Sequence, residues 1–148
     1  MRKAWFEHFL TEDAWCLYGD IGFGVIDQSH PRCLNVGIAE MTMVGMAAGM
    51  ASEGAKVYTY CIGPQYIRAW EFVRNLLAGT KRDVTLVAAG VGDDYKMLGK
   101  PHMIDPYEFG TLCYAIGIPY FCPKDKNELE AALRQPGPKV LHLRKGGV

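Results

Sequence analysis

Short, unbroken apolar runs alternate along the chain with longer stretches in which apolar residues recur every three or four positions. The short runs predict strands at 14–18, 33–36, 57–61, 84–89, 119–122 and 140–143. The longer stretches predict helices over 2–11, 37–51 and 63–77, one ending near 116, and one over 125–134. Because helices of crossover length separate most of the strands, the pattern predicts an α/β fold with a mostly parallel sheet between two helical layers, a three-layer αβα arrangement.

The helix at 38–52 has an unusual composition, because Glu40 is its only charged residue. A surface helix has a polar stripe, so this pattern predicts burial on every side. Gly45 and Gly49 are four residues apart, a spacing that lets another backbone approach closely. Since 148 residues leave little room to enclose a whole helix, we expect another chain to cover part of it. The same pattern also fits a central core helix of a monomer.

Composition narrows the classes of partner. Sixteen Lys and Arg residues balance sixteen Asp and Glu residues, and this zero net charge argues against nucleic acid or an anionic membrane surface as the main partner. The five cysteines form no CxxC pair, and the four histidines show no metal-ligand spacing. We expect reduced thiols in a cytoplasmic protein, with residues 1–148 forming one domain.

Residues 32–51 read RCLNVGIAEMTMVGMAAGMA. This stretch closely resembles RFxNVGIAEQxMVGxAAGxA, the signature of the pyrimidine-binding domain of transketolase-like, thiamine diphosphate-dependent enzymes. The resemblance continues at 17–22, 58–60 with 68–71, 98–102 and 139–146. It therefore covers nearly the whole chain, and one domain of an enzyme that normally has three. The implied fold is the thiamine diphosphate-binding fold of pyrimidine-domain type.

The resemblance assigns roles to four residues. Glu40 matches the glutamate that hydrogen-bonds the pyrimidine nitrogen of the cofactor and favours its imino tautomer, a catalytic as well as a cofactor-binding role. Asp20 matches an acidic position beside the cofactor. His102 matches a catalytic histidine that reaches the donor sugar, and Arg2 matches an arginine that binds substrate phosphate. The residues alone also fit a solvated first-turn glutamate, a turn aspartate, a helix-capping histidine and a surface arginine.

Three positions depart from the family pattern. Gln65 stands where an aromatic residue usually stacks on the pyrimidine ring. Either Tyr66 or Tyr60 supplies a ring face instead, or the cofactor binds more weakly or not at all. Met41 replaces the glutamine that usually follows the glutamate. Pro101 replaces the threonine that usually precedes the histidine, which removes a hydroxyl and a backbone donor.

The "GDG…N" motif that holds the diphosphate through Mg²⁺ is missing from the sequence; Gly92-Asp93-Asp94 is only superficially similar and is expected to be a turn. We therefore expect a split enzyme that transfers a two-carbon ketol or related acyl unit between sugar or keto substrates. A separate diphosphate-binding subunit would hold the Mg²⁺, in a heterotetramer. The alternatives are a non-catalytic structural or regulatory subunit and, less well supported, a nucleotide- or phosphate-binding domain that acts alone.

Overall fold

A computed structural model describes residues 1–145, and Gly146, at the end of the closing segment of the resemblance, lies outside them. The strands are β1 (Ala14–Tyr18), β2 (Cys33–Asn35), β3 (Lys56–Ile62), β4 (Val84–Ala89), β5 (Tyr120–Phe121) and β6 (Lys139–Leu143). The α-helices are α1 (Arg2–Phe9), α2 (Glu40–Ser52), α3 (Gly63–Tyr66), α4 (Trp70–Phe72), α5 (Pro106–Ala115) and α6 (Lys126–Leu133). Short 3₁₀ turns occupy Ile67–Ala69, Lys96–Leu98 and Lys100–His102, and Val73–Ala78 is π-helical.

The six strands form one sheet in the order β2-β1-β3-β4-β6-β5, and every neighbouring pair is parallel. All six residues of β4 are buried, as expected for a central strand covered on both faces. Each predicted strand is present, and no strand end differs from the prediction by more than one residue. The predicted parallel α/β sheet is therefore confirmed.

Two apolar cores lie on opposite faces of the sheet. One contains residues of α2, of the 63–78 segment and of α5, including Met43, Leu77 and Phe109. The other contains residues of α1 and α6, including Trp5 and Leu129. The sheet thus lies between two helical layers, which is the predicted three-layer arrangement.

Within this chain helix α2 is buried on one side only. Met43, Val44, Ala47 and Ala48 pack against the sheet, whereas Met41 is 52% exposed and Met46 is 40% exposed. The cause is geometric, since one chain supplies a sheet under only one face of this helix. Within residues 1–145 no helix is long and apolar enough to cross a membrane.

The predicted helix over 63–77 is broken into segments of different helical pitch. The change of pitch keeps Tyr66, Ala69, Val73 and Leu77, spaced three or four residues apart, completely buried on one side. The segment begins at Gly63, where an added Cβ would lie 2.5 Å from Cγ2 of Val91. A residue without a side chain is therefore needed for α3 to begin this close to the loop that follows β4.

Helix α6 begins with the predicted cap. The side chain of Asp125 accepts a hydrogen bond from the backbone N–H of Glu128 at 2.9 Å. Glu128 Oε2 accepts in return from the backbone N–H of Lys124 at 2.8 Å. The first bond satisfies a donor that the helix itself leaves free, and the second ties the residue before the cap to the first turn of the helix.

Candidate functional site

Glu40 begins α2, just beyond the carboxyl end of β2. It is 6% exposed, and Ala39 before it offers no side-chain cap. The backbone N–H groups of a helix's first turn stabilise an anion in this position. A buried carboxylate is thus held at the helix start by the fold of the strand-to-helix connection.

Arg68 is the partner of Glu40. Its Nη1 lies 3.3 Å from Glu40 Oε1, and the Arg68 side chain is 57% exposed. Within residues 1–145 the second carboxylate oxygen, Oε2, has no hydrogen-bond partner. A carboxylate has about four acceptor positions in all, so Glu40 keeps acceptor capacity for a further donor.

Cys61 lies near enough to Glu40 to be affected by its charge, and it contacts Gln65. The Cys61 thiol donates to Gln65 Oε1 at 3.0 Å. Burial, reinforced by the charge of Glu40, raises the pKa of Cys61 to about 12, so the group remains a neutral thiol at physiological pH. Gln65 is half-buried at the position where the family usually has an aromatic ring, and its side chain is fixed by this bond.

Asp20 and Asn35 connect the two loops that lead to Glu40. Asn35 Oδ1 accepts from the backbone N–H of Asp20 at 3.3 Å and from that of Gly37 at 2.9 Å. Asp20 adopts a left-handed backbone with φ of 52°, and an added Cβ at Gly19 would lie 3.2 Å from the Gly37 carbonyl oxygen. The loops after β1 and β2 therefore lie against each other, with the Asp20 side chain exposed.

The two tyrosines lie below the surface. Tyr66 is completely buried; its hydroxyl lies 2.9 Å from Thr59 Oγ1 and donates to the Val87 carbonyl at 3.2 Å. Tyr60 is 1% exposed and stacks on Trp5, with ring centroids 5.3 Å apart. The structure therefore places neither ring face at the surface beside Glu40, because both rings pack in the cores.

Arg2 lies in a different cluster. Its Nε donates to the Leu143 carbonyl at 3.0 Å, and its Nη2 forms an ion pair with Asp94. A cavity of about 450 Å³ adjoins it, and its lining includes three further cations: Lys3, Arg144 and Lys145. A smaller cavity of about 190 Å³ is lined by Arg2 together with Asp20 and Tyr60. Three of the residues expected at the site thus border one cavity.

His102 ends a 3₁₀ turn that contacts α3, the helix that carries Gln65. Its Nδ1 donates to the Leu98 carbonyl at 3.1 Å, which leaves Nε2 as the acceptor of a neutral ring. His102 does not cap the following helix, because Asp105 caps α5 by accepting from the N–H groups of Tyr107 and Glu108.

Arg68, Lys3 and Arg144 are site-lining residues that were not singled out from the sequence. Arg68 lies in a segment of the family resemblance, and it carries the charge opposite to that of Glu40. Those two facts could have indicated from the sequence that the two residues form a pair. Asp94, in the predicted turn, binds Arg2 and accepts from the backbone N–H of Lys145 at 3.1 Å. Across residues 1–145 no group of three or more His, Cys, Asp or Glu side chains is arranged to hold a metal ion.

The chain is an α/β domain with a parallel sheet and with a buried glutamate, Glu40, at the start of α2. This domain can now be compared with known protein families. Residues 18–144 match the family described as "Transketolase, pyrimidine binding domain". The match spans most of the 148 residues, and the chain belongs to this family.

The curated relatives are longer than this chain. A putative transketolase C-terminal section from Methanocaldococcus jannaschii is 42% identical over 66 residues, which is 41% of this chain and 20% of that protein. One of the subunits of an apulose-4-phosphate transketolase from Actinobacillus succinogenes is 33% identical over 124 residues, 80% of this chain and 39% of the relative. A 1-deoxy-D-xylulose-5-phosphate synthase from Frankia casuarinae is 31% identical, covering 86% of this chain and 20% of the synthase. The chain thus spans well under half the length of each relative.

Solved structures share the fold. A split gene transketolase, described as an inactive β4 tetramer, has a TM-score of 0.77 at 24% identity, covering 99% of this chain and 50% of that one. Transketolase from Campylobacter jejuni has a TM-score of 0.83 at 18% identity, covering 97% of this chain and 25% of that one. At these identities the likeness shows the architecture.

Proposed function

We propose that residues 1–148 form one pyrimidine-binding domain, a subunit of a split transketolase-like enzyme that transfers a two-carbon ketol or related acyl unit between sugar or keto substrates. The observation that carries the proposal is the buried Glu40 carboxylate at the start of α2, with Oε2 unpaired within residues 1–145. The family match over 18–144 supports it, and the cofactor would be thiamine diphosphate.

Glu40 would hold the pyrimidine ring by sharing a proton between its carboxylate and a ring nitrogen. Arg68, 3.3 Å from Oε1, keeps that carboxylate oriented and leaves Oε2 for the ligand. When bound, the cofactor supplies the carbon nucleophile that carries the two-carbon unit, while the protein supplies binding, orientation and proton control.

Gln65 and Asp20 would contact the same ligand. Gln65 Oε1 is occupied by the Cys61 thiol, so its amide NH₂ remains to donate to a bound ring. Asp20, exposed on a loop tied by Asn35 to the backbone before Glu40, would contact the cofactor at its edge. We assign no stacking role to Tyr66, because its ring is enclosed in the core.

His102 and Arg2 would serve the substrate. The free Nε2 of His102 can accept a hydroxyl proton from a sugar. Arg2, Lys3 and Arg144 place three cations around one cavity, which suits the phosphate of a sugar phosphate.

A separate subunit would hold the diphosphate and its Mg²⁺. The exposed apolar side of α2, where added Cβ atoms at Gly45 and Gly49 would meet nothing within 4 Å, offers a surface for that subunit. The relatives include a C-terminal section, a single subunit and a split gene product, which agrees with a divided enzyme. Because the sites of this family come in symmetric pairs, we infer two copies of each chain, which form a heterotetramer in the cytoplasm.

Reconstitution tests the proposal. The chain is combined with the diphosphate-binding subunit that copurifies from its native host, and ketol transfer is measured with Mg²⁺ and thiamine diphosphate. Glu40→Gln keeps the size of the side chain, and we expect normal assembly with turnover lowered at least about 100-fold, since proton transfer by a positioned group contributes that much. Glu130→Gln, at an exposed glutamate of α6 in the opposite helical layer, is the matched control and keeps full turnover. Full activity of Glu40→Gln would refute the catalytic role.

A non-catalytic structural or regulatory subunit is the second candidate. Gln65 at the position where the family usually has an aromatic residue, with Tyr66 and Tyr60 both buried, favours it. In that case Glu40→Ala leaves the activity of the reconstituted complex unchanged, and Met46→Lys on the outer side of α2 still disrupts assembly.

A further inference from the structure

Two cysteines face each other on neighbouring strands at one edge of the sheet. Cys16 in β1 pairs with Cys33 in β2 in parallel register. Paired residues of adjacent strands point to the same face of a sheet, and the strands lie about 4.8 Å apart. A disulfide needs Cα atoms separated by about 4.4–6.8 Å. The register therefore places the Cα atoms of the two cysteines within the range that a disulfide spans.

The two thiols differ in their surroundings. Cys16 is completely buried, whereas Cys33 begins the short edge strand and is 7% exposed. His30 lies beside it, with Nδ1 3.9 Å from Cys33 Sγ. The interaction between the two neighbouring thiols lowers the pKa of Cys33 and raises that of Cys16. Cys33 is the thiolate-forming member, and Cys16 is the thiol held against it.

We propose that Cys16 and Cys33 form a redox-sensitive pair that closes to a disulfide when the chain meets a peroxide. The Cys33 thiolate attacks one peroxide oxygen, the O–O bond breaks, and the leaving oxygen takes a proton as water. The resulting Cys33 sulfenic acid is attacked by the Cys16 sulfur, an S–S bond forms, and the sulfenic oxygen leaves as a second water. Both sulfurs are oxidised and one hydrogen peroxide is reduced to two waters.

The disulfide would act on the region that precedes Glu40. It closes a loop of residues 16–33 that contains Asp20, and it ties β2 to β1 just before Asn35, which binds the backbone of both Asp20 and Gly37. Oxidation would therefore stiffen the connection between β1, β2 and the start of α2. This proposal is independent of the proposed enzyme activity.

Peptide mapping tests the pair directly. The 148-residue chain is treated with hydrogen peroxide, quenched, unfolded with an alkylating agent and digested with trypsin, which separates peptides 4–32 and 33–56. We expect these two peptides to be linked and lighter by two hydrogen atoms, with a rise in the unfolding midpoint that a reductant reverses. Cys33→Ser abolishes the link. Cys16→Ser leaves a sulfenic acid on Cys33 that dimedone traps.

Cys122 provides the matched control, because it is more exposed than either member of the pair. Cys122→Ser should form the Cys16–Cys33 link at the same peroxide concentration as the unaltered chain. Oxidation of Cys122 ahead of Cys33, or five alkylated thiols after treatment, would overturn the proposal. Those results would leave the Glu40 assay unaffected, so the two proposals fail separately.

Discussion

The two helical layers on the sheet differ in how completely they bury their apolar side chains. In the α1 and α6 layer, Trp5 and Phe9 are 0% exposed, and Trp5 contacts four other aromatic rings. In the other layer, α2 leaves Met41 52% and Met46 40% exposed, and α5 leaves Tyr114 86% exposed. The first layer is complete within one chain, whereas the second has an apolar outer side.

This difference separates residues that stabilise the fold from residues available to a partner. A single exposed apolar residue is normal on a protein surface, whereas a group of them on one helix is typical of an interaction surface. On α2 the exposed methionines lie on the same helix as Gly45 and Gly49, beside which there is open space. Glu40 begins that same helix. The apolar surface of α2 and the candidate site are thus adjacent, which agrees with a site completed by a second subunit.

Trp5→Ala should have the largest effect on stability. It removes a fully buried ring from an aromatic cluster and should lower the free energy of unfolding by about 3–5 kcal/mol. Phe23→Ala removes an aromatic ring that is 75% exposed and should change it by less than about 0.5 kcal/mol. Urea unfolding of both variants measures the contrast. Equal losses would contradict the assignment of the α1 layer as the closed core.

His142 should make stability depend on pH. Burial, with Arg144 nearby, lowers the pKa of His142 to about 4 from its usual 6.5, and Nδ1 of the ring lies 2.8 Å from the Tyr120 hydroxyl. As pH falls from 6.5 to 4 the unfolded chain binds this proton first, so the free energy of unfolding falls, by about 3 kcal/mol in all. Below pH 4 the titration of His142 causes no further decrease in the free energy of unfolding.

Urea unfolding at several pH values between 4 and 7 measures this slope. His142→Gln should remove this contribution, because glutamine does not titrate. His102→Gln, at a half-buried loop histidine, should retain it. An unchanged slope in His142→Gln would assign the pH dependence to another group.

Gly49→Ala should have the smallest effect on the isolated chain, and the effect should be favourable. The new Cβ meets nothing within 4 Å, and alanine favours a helix over glycine by about 1 kcal/mol. If a partner backbone approaches this glycine, the same methyl group weakens assembly. Urea unfolding and analytical ultracentrifugation of the reconstituted complex give the two readouts. A more stable chain that assembles normally would show that Gly49 lies outside the interface.

The sequence indicated the order of strands and helices because the local apolar pattern is strong. It did not indicate which side of α2 is covered, since burial depends on the strands beneath it and α2 is apolar almost all round. Glu40 and Asp20 were found through the resemblance. Arg144 and Arg68 were missed because their positions depend on packing between distant segments. Tyr66 or Tyr60 was considered as the source of a ring face, but both rings pack in the cores, which depends on contacts between distant segments.

Cofactor binding tests the central claim most directly. Mg²⁺ and thiamine diphosphate are titrated by calorimetry into the chain alone, into the copurified diphosphate-binding subunit alone and into their mixture. We predict stoichiometric binding, one cofactor for each pair of chains, in the mixture only, and its loss when Met46→Lys prevents assembly. Stoichiometric binding to this chain alone, or a mixture that binds no more than its separate parts, would contradict a site shared between this chain and a partner subunit.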